Sequence, residues 1–204
     1  MENNQKNIRL TASILKDQIS AYLKSRDSNG VIGFEVMYGS SRRVADMVFI
    51  SQGHSYAIEI KSEFDTTSRL EGQLQEYQTL FDYVIVFSAP NHISTISPIL
   101  SDNVGLYRID NNGIKKITCE RINHGVLKSE MLISIPSAVI KNDFSIRGKL
   151  TSDEIRAIVG KKSYKTIHDY FIKYYITKLS NNESHFIKEY PNQEDILIDY
   201  IIIP

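Results

Sequence analysis

The chain has 204 residues, 24 Lys plus Arg against 24 Asp plus Glu, and a hydrophobic fraction of 42%, the composition of a globular protein with one core and room for an appendage. Zero net charge speaks against a uniformly basic nucleic-acid binder, and a single cysteine, Cys119, excludes an intrachain disulfide framework and a cysteine-cluster metal site. The five histidines show no ligand spacing, nothing at Met1–Gln5 reads as a secretory leader, and no apolar run could span a bilayer; the expectation is a cytoplasmic protein with no membrane partner.

In chain order, Leu10 to about Arg26 reads as an amphipathic helix with Leu10, Ile14, Ile19, Tyr22 and Leu23 on one face, closed by Asp27-Ser28-Asn29-Gly30. Val31–Met37 reads as the first strand, in which alternation groups Phe34 with Val36 and sets Glu35 on the face of Gly33 and Met37. Val44–Ile50 and Tyr56–Lys61 are rich in β-branched and aromatic residues and read as two further strands joined by a short turn. Glu59 and Lys61 then share a face, Ile60 points into the core, and a hairpin neighbour brings Asp46 beside Glu59. Ionised groups in strands are costly to bury unless they are paired or bind a metal. The plain reading of Glu59 and Lys61 is a salt bridge on a solvated edge; the acid on the preceding strand argues for more.

Leu70, Leu74, Tyr77 and Phe81 recur at helical spacing, with Thr67 or Ser68 as N-cap and Arg69, Gln73 and Tyr77 as a polar stripe at successive i, i+4 positions. Tyr83–Phe87 reads as a short buried strand, residues 91 to 101 as a short helix or loop, and Val104–Ile109 with Ile114–Cys119 as a hairpin about Asp110-Asn111-Asn112-Gly113. The stretch 120 to 150 reads as irregular, with a soft domain boundary. Thr151-Ser152-Asp153-Glu154 is a capping box opening a helix that Gly160 closes, and Ser163 caps another through about Leu179. These two helices read either as a helix-turn-helix at 151–179, with Lys162, Lys165 and Thr166 near DNA, or as a helical hairpin packed on the core. Residues 141 to 178 hold nine Lys or Arg against four acids, which would give one positive face. The terminal run Ile196–Ile203 is apolar enough to demand burial against the core or a second subunit, so a homodimer is open.

Over roughly residues 8 to 110 the chain resembles the PD-(D/E)XK nuclease superfamily. Asp46 matches its first acid, Glu59-Ile60-Lys61 its E-x-K element, and Gln73 to Tyr77 the Q-x-x-x-Y helix motif of the RecB-like and Cas4-like branches. Arg43, Asp46, Glu59 to Ser62, Asp65, Arg69-Leu70 and Gln73 together look closest to a group of small bacterial and phage proteins on that scaffold. One departure is Val44-Ala45 before Asp46, where many members carry proline.

The resemblance implies an α/β (α+β) restriction-endonuclease-like core at 1–120, with a central mixed sheet flanked by helices, followed by a mostly helical region at 121–204. It implies a metal-dependent nuclease hydrolysing DNA phosphodiesters with Mg²⁺, for which Mn²⁺ can substitute. Asp46, Glu59 and the Ile60 carbonyl would ligate the cation, Lys61 would act on the attacking water and the transition state, and Gln73 would serve beside it. Glu35 is a candidate additional metal ligand or, alternatively, a strand-end carboxylate paired with Arg43. Arg43, Arg69, Tyr77, Lys162 and Lys165 are the candidate nucleic-acid contacts. RNA as substrate stays open, and the alternative is a nucleic-acid-binding or assembly protein that keeps the scaffold without cleaving.

Overall fold

A computed structural model describes residues 12–189; Leu10 and the run 196–203 lie outside them. Six strands form one sheet in the order β1-β2-β3-β4-β5-β6: β1 (Val31–Tyr38), β2 (Arg43–Ser51), β3 (His54–Lys61), β4 (Tyr83–Ser88), β5 (Val104–Asp110) and β6 (Gly113–Thr118). The β3–β4 and β4–β5 pairs are parallel and the others antiparallel. Parallel pairs need crossovers: α2 (Leu70–Gln78) makes the first, and the short α3 (Ile93–Ile96), set between two 3₁₀ turns, makes the second. The β2–β3 hairpin closes on Gln52 and Gly53, both left-handed at φ 50° and 77°, the backbone a two-residue turn needs to match strand twist.

The sheet is covered on both faces. Helix α1 (Ala12–Arg26) buries Leu15, Ile19 and Leu23 against Ile32, Met47, Phe49, Ile58, Ile60, Ile85, Phe87 and Tyr107. The expected apolar face omits Leu15, which is fully buried, while Ile14 and Tyr22 lie at the margin of the cluster. The other face carries α2 and the C-terminal helices α4 (Lys128–Ile133), α5 (Ser137–Asp143), α6 (Ser152–Gly160) and α7 (Tyr164–Glu189). The molecule is thus mixed α/β, a six-stranded mixed sheet between helices with a helical C-terminal region.

Three local expectations need correction. Helix α2 starts one residue after Arg69, which occupies the N-cap without a side-chain cap, so neither Thr67 nor Ser68 caps it, and it ends at Gln78. The stretch read as irregular holds α4 and α5, which bury Met131, Leu132 and Ile140. The capping box at Thr151 and Glu154 is present, and the helix it opens packs on α4 and α5, while α7 packs on α4 and β1. Helix α7 runs well past Leu179, and its Ile167, Phe171, Tyr175 and Leu179, four residues apart, sink into the same core as Val36, Val48, Tyr77 and Val86. Gly33 permits this docking, because a Cβ there would lie 2.4 Å from Leu179 Cδ2.

One irregularity positions the site. Phe34 packs with the α1 cluster and Val36 with the opposite one, and likewise Met47 and Ala45 on β2. Residues two apart should share a face, so both strands lose step at the rung between them, where Glu35 faces Asp46 and drops out of the register. Glu35 is left-handed there, φ 49°, a conformation that costs a non-glycine residue about 1 kcal/mol or more. The expectation that Phe34 and Val36 share a face fails for this reason. Beyond the same rung β2 stops pairing with β3, whose ladder ends at Met47 and Ile58.

Candidate active site

The gap left between β2 and β3 is bridged by a side chain. Asp46 Oδ2 accepts a hydrogen bond from the Ile60 amide at 2.8 Å, taking the place of a backbone carbonyl. One strand over, Glu59 is 2% exposed and its carboxylate is held from two directions: Lys61 Nζ donates to Oε1 at 2.8 Å, and the Tyr77 hydroxyl donates to Oε2 at 2.7 Å. Gln73 Oε1 lies 3.4 Å from the Lys61 ammonium. The Glu59–Lys61 ion pair therefore exists but is buried, not on a solvated edge. Asp46, Glu59, Ile60, Lys61 and Gln73, joined by Asp65, Thr66, Ser68 and Arg69 from the loop leading into α2, line one cleft of about 440 Å³.

Burial pushes the Asp46 carboxyl up to about 6, with the charges of Glu59 and then Glu35 acting the same way, while the Ile60 amide and Lys61 oppose them. The Tyr77 phenol is held protonated far above its ordinary range by burial and by Glu59. A half-buried Asp46 beside the buried Glu59, with one ammonium bonded to Glu59, is a place where added positive charge lowers the electrostatic cost.

The donors present fit a hard divalent cation. Of the two Asp46 carboxylate oxygens only Oδ2 accepts a hydrogen bond from a described residue, whereas both Glu59 oxygens already accept one, from Lys61 and from Tyr77. The amide and carbonyl of one strand residue face the same side; the Ile60 amide reaches Asp46, so the Ile60 carbonyl is aimed at the cleft side, whereas the Lys61 carbonyl is taken by Ala89 N at 2.8 Å on the β4 side. No group of three or more His, Cys, Asp and Glu side chains arranged to hold a metal occurs among the described residues. Mg²⁺ keeps several waters and commonly takes only one or two carboxylates, so the set of two acids and a carbonyl suits it better than zinc.

Other expected residues fall elsewhere. Tyr77 is fully buried and cannot touch nucleic acid; its part is to position Glu59. Glu35 is exposed and its carboxylate is paired with Lys16 of α1, not with Arg43. Arg43 sits outside the cleft, 3.2 Å from Glu76, a carboxylate that also takes the Ser41 hydroxyl at 3.0 Å. Lys162 has its ammonium 5.4 Å from the Phe144 ring centre, and Lys165 pairs with Asp169 at 2.7 Å. Lys165 lies in the first turn of α7 and Lys162 in the turn just before it, and His168 of the same helix reaches Asp82 just before β4. The β3 strand between that end and Lys61 spans roughly 20 Å, so these lysines are not part of the cleft. The reading from sequence missed Lys16, Thr66 and Ser68; the two hydroxyls directly preceding a helix were the available signal, whereas nothing marked Lys16.

Residues 2–201 match the family described as bacteriophage P4 protein cII. The chain belongs to that family. Protein cII of Enterobacteria phage P4 is 26% identical to it over 187 residues, which is 87% of this chain and 70% of the phage protein. A solved structure of a protein of unknown function from Silicibacter pomeroyi covers 74% of this chain and all of its own length, at 14% identity with a TM-score of 0.44.

Proposed function

We propose that this P4 cII family protein is a metal-dependent nuclease that hydrolyses DNA phosphodiesters in the cleft between β2 and β3, on a scaffold of the PD-(D/E)XK kind. The observation that carries the reading is the convergence of Asp46, Glu59 and Lys61 on one polar cleft at the place where the sheet comes apart.

Asp46, Glu59 and the Ile60 carbonyl are the residues that would hold Mg²⁺ or Mn²⁺. A divalent ion so bound acidifies water and neutralises charge on a phosphate. The chain's own groups supply the rest. Glu59 keeps the Lys61 ammonium at the cleft, where it can orient the attacking water and meet the negative charge that builds on the phosphoryl oxygens. Tyr77 and the Ile60 amide fix the two carboxylates, so the constellation is set before substrate arrives. Gln73 restrains Lys61 from the helix side. Arg69, Ser68 and Thr66 line the other wall, with donors suited to phosphate oxygens.

The test is nicking of supercoiled plasmid with Mg²⁺ or Mn²⁺ by the native chain beside Asp46→Ala and Lys61→Ala. We expect cleavage that EDTA stops and that either substitution lowers at least about a hundredfold, a typical effect of removing one charge-stabilising group, with melting temperatures showing both variants folded. DNA binding with no metal-dependent cleavage would instead make this a non-cleaving nucleic-acid-binding protein.

A further inference from the structure

The loop between Lys61 and α2 carries the feature of this site that the hydrolytic constellation does not use. Phe64 is 68% exposed, the highest value among the exposed large apolar side chains of the described residues. A phenylalanine left in water forgoes about 2 kcal/mol of burial, and in a slack loop the ring would fold back onto the surface. This loop is not slack. Ser62 N and Oγ donate to Asp65 Oδ2 at 2.7 and 2.5 Å, and Asp65 N donates to the Ser62 carbonyl at 3.2 Å. From the β4 side, Asn91 Nδ2 donates to the Glu63 carbonyl at 3.1 Å and His92 Nε2 approaches the Ser62 carbonyl at 3.0 Å. The backbone on either side of Phe64 is thus tied at Ser62, Glu63 and Asp65, with the ring held out on a braced loop.

Phe64 is not itself a lining residue of the cleft, but it lies three residues after Lys61 and directly before Asp65 and Thr66, which line it with Ser68 and Arg69. Hydroxyl and guanidinium donors on one stretch of loop with an aromatic ring beside them are the two halves of a site for unpaired nucleic acid: the donors follow the backbone and the ring stacks on a base. In a duplex, both faces of each internal base are already stacked, so the ring has nothing to receive there.

We propose that Phe64 is a stacking platform for an unpaired base, and that the substrate strand in this cleft is single-stranded or frayed DNA. The inference rests on the reading of the cleft as a nucleic-acid site, but not on cleavage. The platform selects the substrate by affinity, holding the strand so that a backbone phosphate on the Thr66–Arg69 side is carried towards Lys61.

The chain contains no tryptophan, so Phe64→Trp introduces a unique fluorophore at the proposed contact. In EDTA, where no metal-dependent cleavage consumes the probe, short oligo(dT) is expected to quench its emission saturably, and a blunt-ended duplex hairpin is not. Phe64→Ala is expected to weaken oligo(dT) binding about tenfold, the order of one base–aromatic stack, with duplex affinity and melting temperature unchanged because the ring is not part of the core. No quenching, equal quenching by the hairpin, or an equal loss of both affinities in Phe64→Ala would overturn the proposal; quenching by oligo(rU) with oligo(dT) silent would overturn its assignment to DNA. Cleavage of end-labelled single-stranded DNA with Mg²⁺ separates the two readings: quenching without cleavage removes the enzyme and keeps the platform, and cleavage without quenching does the reverse.

Discussion

The two ends of β3 place a carboxylate in opposite circumstances. At the start of the strands Asp82, 4% exposed, accepts from Ser55 N and Oγ at 2.8 and 2.9 Å and lies 2.9 Å from His168 Nε2 of α7. Burial alone would raise this carboxyl, but the His168 and Ser55 hydrogen bonds outweigh it and hold it below the ordinary value. At the other end Asp46 has one amide donor and a second acid as neighbour, and its carboxyl is pushed up. The first group is satisfied by its own protein and ties α7 to the sheet. The second has one oxygen, Oδ1, that accepts no hydrogen bond from a described residue, the oxygen that the proposed cation would take. A charged residue at a strand end is therefore not a functional signal in itself; what separates the two is whether the fold completes its coordination.

That contrast can be broken first at Asp82. Replacing it with Ala strands the Ser55 amide and the His168 ring in the interior, so unfolding should become easier by about 3 kcal/mol. In a chain of this size that is a fall in melting temperature of roughly 6–12 °C. Because Asp82 lies far from the cleft, nicking below the melting range should be unaffected; an unchanged melting temperature would show that the Asp82 hydrogen bonds add nothing to stability.

Asp46 should show the opposite sign. With its folded pKa raised to about 6 from 3.8, the native state holds the proton more tightly than the unfolded chain. Its contribution is therefore fully present below the unfolded value and is lost as pH rises through the folded one. In EDTA, Asp46→Asn should abolish a loss of stability on the order of 2 kcal/mol between about pH 4 and 6, and so should melt higher than the native chain at neutral pH while being unable to nick plasmid. If the variant is less stable at neutral pH, Asp46 is a structural carboxylate after all. At the far end Asp82, lowered, runs the other way and stabilises above its unfolded pKa, whereas His168, raised by the Asp82 hydrogen bond, runs the same way as Asp46 and stabilises below its own.

Smallest is the effect of Tyr77→Phe, which deletes one hydrogen bond to a buried carboxylate and keeps the ring packing with Tyr38 and Phe81. We expect a loss of about 1.5 kcal/mol in stability and about a tenfold drop in nicking, with DNA affinity intact. A selective loss of DNA binding would restore Tyr77 as a contact residue.

The sheet was largely legible in the sequence, because β2, β3 and β4 are dense in β-branched and aromatic residues and α2 repeats Leu70, Leu74 and Tyr77 on one face. The spacing of Asp46, Glu59, Lys61 and Gln73 put those residues in one neighbourhood, and they line one cleft. Helices α4 and α5 were hidden because each is under two turns and begins without a side-chain cap, at Leu127 and Pro136; such helices form by packing, not propensity. The fate of Tyr77 was hidden for a related reason: helical spacing makes it a stripe with Arg69 and Gln73, but only the depth of the helix in the fold decides that its hydroxyl meets Glu59 and not solvent. The parity break at Glu35 had no local signal, since nothing in Phe34-Glu35-Val36 demands a left-handed residue.

That lost step has a practical corollary for dissecting the molecule. The mouth between β2 and β3 is drawn by main-chain geometry, in two ribbons that turn out of phase at one rung, and its acidic lining is hung on an aperture that already exists. Swapping single side chains there should drain the charge while leaving the opening in place, so an inert variant of this kind should serve as a decoy for the strand that the proposed nuclease would grip.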